Sequence, residues 1–383
     1  MNLPGSNVYY QGKQAALLHG DCIDVMKEML KPARGWKDQI DAIVTDPPYG
    51  IDWLSQEWDH YDRREKEEKA AAPVRDDGPI SGSYFQKEAG KDKAAPVDDS
   101  AAGQSFQKWC LEWGLLCYDL LKPGGYILSF GGARSHHRMT SGLEDAGFQI
   151  TGEIIWIYST GMVRGHNPET DIDKLRNDNP DLSQAQLEQL KGRNTALKPA
   201  QEPIAVGRKP LPAGWTVAEQ IVKKRVGALY VEATRFPNPM EERLKEAGPK
   251  KKPVIDRYPA NVVVAVDGSS YADDKMLMGE ATKFFYCPKP STKEKGGTLG
   301  AQGEEFIEQW KAGGDVDVHP TMKPIRLMEW LVKLVTPPGG YVLDPFVGSG
   351  TTVVAACSDY FAIGIEREER FLKLAKGRLE ELQ

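Results

Sequence analysis

The sequence predicts an α/β fold, a doubly wound and mostly parallel sheet with a second lobe inserted into it. Three observations carry this reading. Short apolar runs without polar alternation, AALLH at 15–19 and DAIV at 41–44, have the form of strands buried on both faces. Helical periods lie between such runs, as the crossovers of parallel neighbours require. Two of the runs end abruptly in turns of special composition, TDPPYGID at 45–52 and VLDPFVGSGTT at 342–352. The C-terminal edge of an open parallel sheet is where such folds keep their ligands.

The elements follow in order. A strand at 15–19, a helix at 24–30 and a strand at 41–44 make a βαβ opening. Residues 57–107 are dense in charge, Ala, Gly and Pro and hold no sustained period, which predicts a long mobile insertion. An amphipathic helix is expected at 106–121, a strand at 126–130 after the turn LKPGG, a helix at 136–146 and a strand at 150–157. From 158 to about 286 the rhythm fails, and Pro, Gly and charge surround a polar helix near 183–190 and a strand-like piece at 261–266. The rhythm returns with a helix at 324–335, a strand at 341–343, a helix at 351–358, a strand at 361–365 and a helix at 368–382. The expected division is one half of the sheet domain at 1–160, a separate lobe at 161–285 and the other half at 286–383.

A chain of 383 residues suffices for one large domain with insertions or for two domains. No apolar run approaches bilayer-spanning length, and MNLPGSNVYYQGKQ holds no apolar signal-peptide core, so a cytoplasmic protein without a membrane partner is expected. Cys22, Cys110, Cys117, Cys287 and Cys357 form no CxxC pair, so neither a zinc site nor a disulfide framework is predicted. The formal net charge of −6 is unevenly spread, with +5 on residues 161–260 and −11 on the remainder. A basic middle on an acidic body suits a nucleic-acid-contacting lobe beside a small-molecule site, and it suits a solvated linker as well.

Pro lacks an N–H and fixes φ, so the strand at 41–44 stops at Thr45 and leaves Asp46, Pro47, Pro48 and Tyr49 at its edge. The second motif is a strand, a Gly-rich turn and a helix with Thr351 and Thr352 in its first turn, a shape that brings backbone N–H groups to a ligand. It lacks the Lys of a phosphate-binding loop and the third Gly of a dinucleotide fingerprint. The next strand, FAIGIE, ends in Glu366, 22 residues after Asp344, the spacing at which an acid reaches ribose hydroxyls. A ribose without phosphate cradling suggests an adenosine with an amino-acid tail, and S-adenosylmethionine fits.

With DPPY at 46–49 first and DPFVGSGTT at 344–352 last, the chain resembles the beta-class DNA amino-methyltransferases over about residues 14–160 and 280–383. The resemblance implies the fold of S-adenosylmethionine-dependent methyltransferases, with a catalytic half, a target-recognition region at 161–285 and a cofactor-binding half. It assigns catalysis to Asp46, Pro47, Pro48 and Tyr49. Cofactor binding is implied for Asp21 and Cys22 of HGDC, for Asp46, and for His319, Thr321, Lys323 and Pro324 of HPTMKP. It is implied also for Asp344, Pro345, Phe346, Gly348, Ser349, Gly350, Thr351, Thr352, Glu366 and Arg367. The cofactor leaves as S-adenosylhomocysteine, and no metal is implied.

The activity implied is methylation of the N6 amine of an adenine flipped out of duplex DNA. That amine is a poor nucleophile because its lone pair is delocalised into the ring. The Asp46 carboxylate and the Pro47 carbonyl would accept its N–H groups and draw the nitrogen towards tetrahedral geometry, with Asp46 orienting the amine rather than acting as general base. Tyr49 is the expected stacking platform for the base. Asp rather than Ser at the first motif position favours adenine over the N4 amine of cytosine by family resemblance. Arg164, Arg176, Arg193, Arg208, Arg225 and Arg235 are the candidates for guanine or phosphate contact. His136 and His137 are expected to cap or pack, and Trp53 and Trp58 to line the base pocket or pack. The partners implied are double-stranded DNA, with a homodimer and a cognate restriction endonuclease as further candidates in a bacterial or phage-encoded setting. Other readings stay open: a methyltransferase acting on cytosine, RNA or protein glutamine, a DNA-binding regulator without turnover, and an NAD-type oxidoreductase, which leaves DPPY unexplained.

Overall fold

The computed structural model describes residues 2–50, 99–158, 166–235, 258–265, 285–286 and 322–382. Its centre is one sheet built from β1 (Val8–Gln11), β2 (Ala15–His19), β3 (Ile40–Thr45), β4 (Leu121–Phe130), β5 (Gln149–Tyr158), β6 (Gln201–Arg208), β7 (Val262–Ala265), β8 (Phe285–Tyr286), β9 (Tyr341–Asp344) and β10 (Phe361–Glu366). The spatial order is β1-β2-β10-β9-β3-β4-β6-β5-β7-β8. Pairing is antiparallel where β1 meets β2 and where β6 meets β4 and β5, and parallel elsewhere. The described helices are α1 (Cys22–Met29), α2 (Asp99–Leu120), α3 (His136–Asp145), α4 (Ile172–Asp178), α5 (Gln184–Glu188), α6 (Val217–Lys224), α7 (Ile325–Val335), α8 (Thr351–Ala356) and α9 (Glu369–Glu380).

Successive side chains of a strand face opposite ways, and here each face has its own core. Ala42, Val44, Leu128 and Phe130 pack with Leu327 and Leu331 of α7, Val353 of α8 and Leu372 of α9. Ile43, Ile127, Leu343 and Ile365 pack with Met26 of α1, Trp113 of α2 and Leu143 of α3. Helices therefore cover both faces of a mostly parallel sheet, and this is why its central strands lack polar alternation.

Two boundaries differ from expectation. The charged insertion expected at 57–107 gives way to helix already at Asp99, and its remainder lies outside the described residues. The span 161–285 is not wholly apart from the sheet, because β6 runs antiparallel between β4 and β5 and β7 and β8 extend the same sheet. QEPIAVGR conceals a central strand behind Glu, Pro and Gly. Its core is only Ile204, Ala205 and Val206, all buried, and Gly207 is needed because a Cβ there would meet Ile127 Cγ2 at 2.8 Å.

The chain leaves β3 towards β4 on one side and leaves β9 towards β10 on the other, so the seam between β3 and β9 is the topological switch point. Asp344 clasps that seam. One carboxylate oxygen accepts from the Thr45 hydroxyl at 2.6 Å and from the Phe346 N–H at 3.0 Å, and the other accepts from the Thr352 hydroxyl. Burial drives the Asp344 carboxyl up to about 6 even though these donors favour its charged form. A carboxyl raised in the folded state stabilises most at low pH, and the contribution fades as pH rises through its folded value. Relative to Asp344→Asn, the wild-type chain is therefore expected to lose about 3 kcal/mol between pH 4 and pH 7 in urea unfolding. A relative gain over that range would show that the clasp favours the ionised acid.

Candidate active site

The first turn of the site is built by β3. Asp46 follows the last strand residue, and its side chain keeps only 20% of its exposure. One of its oxygens accepts from the Tyr49 hydroxyl at 2.8 Å and the other from the Lys323 ammonium. Lys323 lies in the segment entering α7, is 7% exposed, and sits with Nζ 4.8 Å from the centre of the Phe130 ring. A second acid completes the group. Glu202, at the start of β6, lies 3.2 Å from the Lys323 ammonium and accepts from the Tyr49 hydroxyl at 3.2 Å.

Two carboxylates thus share one ammonium and one phenol. Burial pushes Asp46 above the usual carboxylate range, Glu202 pushes it further, and Lys323 opposes both. Burial disfavours the Lys323 charge, but Asp46 and Glu202 outweigh that and hold it above the usual lysine range. Burial and the same two acids keep the Tyr49 phenol protonated far into the alkaline range. Tyr49 is half-buried, its hydroxyl points at the two acids, and a Cβ on Gly132 would lie 3.1 Å from its ring.

The second turn, after β9, is held from within. Gly348 and Gly350 adopt φ of +50° and +83°, which L side chains avoid, and a Cβ on Gly350 would come within 2.6 Å of the Ala375 Cβ. The buried Arg378 of α9 donates to the Ser349 carbonyl at 2.8 Å and the Thr351 hydroxyl at 3.2 Å. Glu366 closes the turn at the end of β10, accepting from the N–H groups of Gly348 at 2.9 Å and Glu368 at 2.8 Å. Its burial raises the carboxyl against those donors.

The remaining predicted residues divide by what they touch. Asp21 caps α1 by accepting from the Ile23 N–H at 2.9 Å, and Cys22 is buried as the first residue of that helix. Pro324 begins α7, Pro345 is buried, and Phe346 packs 5.5 Å from both Trp109 and Trp113 of α2. Arg367 bonds Glu368, and its carbonyl meets the His19 ring. Asp344, Thr351 and Thr352 are committed to the clasp and to Arg378. His319, Thr321, Arg164, Trp53 and Trp58 lie outside the described residues.

Of the arginines, Arg176 and Arg193 are exposed on the segment joining β5 to β6. Arg208 donates to Gln149 and the Gly227 carbonyl, Arg225 to the Pro338 carbonyl and Arg235 to Glu232. Glu202 escaped the sequence reading. Its signal was topological, because the first residues of an antiparallel strand lie beside the last residues of its parallel neighbours.

Among the described residues no helix is long and apolar enough to cross a membrane. Nor do three His, Cys, Asp or Glu side chains converge there as a metal ion would need. The chain is 23% identical over 361 residues to the type II methyltransferase M.HindIII of Haemophilus influenzae, covering 94% of this chain and 95% of that protein. Over a shorter stretch of 75 residues it is 49% identical to the type II methyltransferase M2.DpnII of Streptococcus pneumoniae, which is 19% of this chain and 26% of that one. Among solved structures, the PvuII DNA methyltransferase, which is cytosine-N4-specific, aligns with a TM-score of 0.49 and 14% identity over 97% of this chain and 88% of that chain. Residues 40–377, which hold both edge motifs and the strand bearing Glu202, match the DNA methylase family of N6 and N4 methyltransferases, and to that family the chain belongs.

Proposed function

We propose that this DNA methylase transfers a methyl group from S-adenosylmethionine to the N6 amine of an adenine in a specific duplex sequence. The observation that carries the reading is the Asp46 carboxyl at the switch-point edge, sharing the single Lys323 ammonium with a second acid, Glu202, so that two carboxyl groups face one cation. Such an arrangement suits a reaction in which a cationic centre moves on to the target nitrogen.

The residues present fit the cofactor. Glu366, at the end of β10 beside the turn of Gly348 and Gly350, is an acid of the kind that holds ribose hydroxyls. Thr351 and Ser349 are fixed behind that turn by Arg378. When bound, S-adenosylmethionine supplies an electrophilic methyl group. The chain supplies acceptors. Asp46 and the Pro47 carbonyl take the two amine N–H groups, so the lone pair leaves the ring's conjugation and faces the methyl carbon in line. Tyr49, turned inward on Asp46, would swing away and offer its ring to the flipped base, a contact worth roughly 1 to 3 kcal/mol.

The N4 amine of cytosine presents the same two N–H groups, so adenine rests on Asp at the head of the motif. The part of residues 161–285 outside the sheet is read as the recognition region, with Arg176 and Arg193 as its described DNA-facing candidates. A homodimer and a cognate endonuclease remain part of the same proposal.

Modification-aware long-read sequencing of DNA from cells expressing the chain is expected to find N6-methyladenine in one motif, absent with Asp46→Ala. Marks on the N4 of cytosine would overturn the base assignment, and no mark would move the reading to RNA, to protein or to binding without turnover. In calorimetry Asp46→Ala is expected to keep its affinity for S-adenosylmethionine. Glu366→Ala is expected to weaken that affinity by about tenfold or more, through loss of a charge-assisted contact.

A further inference from the structure

The acid that sequence reasoning missed has a defined electrostatic position. Asp46 is faced by Tyr49 from its own loop, by Lys323 from the segment entering α7, by Glu202 from β6 and by Asp344 from β9. Glu202 is faced in addition by the Tyr158 phenol of β5. Lys323 is the one cation among these groups. If it served Asp46 alone, the pair would be neutral, and the carboxylate's lone pairs would be spent on an ammonium where the target amine needs them. A buried and compensated acid is a weak acceptor for a nitrogen gaining positive charge.

We propose that Glu202 is a positioning residue that shares the Lys323 ammonium with Asp46, so that one cation is divided between two acids and does not fully compensate Asp46 beside the target amine. The inference rests on the reading of Asp46 as that acceptor. Three features support it. Glu202 and Asp46 flank the same ammonium, with Glu202 at 3.2 Å, and the same phenol at 3.2 and 2.8 Å. The ammonium lies against the Phe130 ring and the Tyr49 ring, at 4.8 and 5.7 Å from their centres, so little solvent screens it from either acid. Finally, β6 is paired on both edges, to β4 and to β5, so the Glu202 backbone is fixed relative to the strand that bears Asp46. No bond is made or broken at Glu202. Its part is to divide the Lys323 ammonium with Asp46 while the amine is methylated.

The test compares wild type with Glu202→Gln, which keeps the shape and an acceptor for the Tyr49 hydroxyl but removes the charge. Two readouts are taken on the full chain, with thermal unfolding confirming that each variant folds. The first is carbon-13 NMR titration of labelled aspartate carboxyls, with the Asp46 signal assigned by Asp46→Asn. Loss of the neighbouring negative charge is expected to move the Asp46 midpoint down. The second is single-turnover methyl transfer to DNA at saturating S-adenosylmethionine, expected to fall by about tenfold or more while cofactor affinity stays within about twofold. Glu202→Asp, which keeps the charge, is expected to restore both in part. An Asp46 midpoint that stays or rises, an unchanged transfer rate, or a Glu202→Asp variant as impaired as Glu202→Gln would each overturn the proposal. If wild type methylates no DNA, the functional reading fails, and the carboxyl titration still decides whether Glu202 governs the charge on Asp46.

Discussion

A single hydrogen bond between residues 299 positions apart organises this molecule, that from the Thr45 hydroxyl to the Asp344 carboxylate. It ties the last residue of β3 to the last residue of β9, the two strands whose continuations carry the catalytic acid and the glycine turn. Because the sheet winds outward in both directions from this seam, the residues that follow β3 and β9 start at the edge where open sheets of this kind hold their ligands. The clasp is dry, and its acid is raised to about 6 by that dryness. A buried acid of this kind is tolerable only because hydroxyl and amide donors surround it.

The two buried lysines among the described residues show how similar charges serve different ends. Lys209 spends its ammonium on the carbonyls of Tyr118 at 2.6 Å and Leu121 at 2.9 Å and on Asp38 at 2.7 Å. It pins the end of α2 and the start of β4 to β6, and one carboxylate balances its charge. Lys323 instead stands between two carboxylates, neither of which needs it for any backbone contact. Isolated buried ion pairs stabilise little against their desolvation cost. A surplus acid makes the balance worse. Such an arrangement belongs to a site whose charge is used rather than to a core whose charge is merely tolerated.

What could be read from the sequence was what periodicity and backbone chemistry write locally. AALLH, the run before DPPY and the strand before Glu366 were legible because strands buried on both faces are unbroken apolar runs. The two edge turns were legible because Pro ends a strand and Gly permits φ of +50° and +83°. β6 was not legible. Of its five buried residues only Ile204, Ala205 and Val206 are strand-like apolar side chains, and its Glu, Pro and Gly are what a loop would contain. Glu202 was lost with it, since an acid becomes part of a site only when the strand order is known. The packing of Phe346 against Trp109 and Trp113 was hidden for the same reason, since those neighbours are distant in sequence, whereas the Asp21 cap is a local contact to Ile23.

The antiparallel strand also decides which parts of the middle segment can approach the site. β5 runs parallel to the central strands and ends at their catalytic edge, whereas β6 starts there and runs away from it. The end of β5 at Tyr158 and the start of β6 at Gln201 therefore both lie at the edge that bears Asp46. The chain from 209 onward begins at the opposite edge, where Gln220 donates to the Pro123 carbonyl, Arg225 to the Pro338 carbonyl and the Tyr230 N–H to Leu334. That stretch braces the starts of β4 and β9 and the end of α7, with Arg225 employed in the bracing. Arg176 and Arg193 belong to the stretch whose flanking strands end and begin at the Asp46 edge, whereas Arg225 lies on the opposite one.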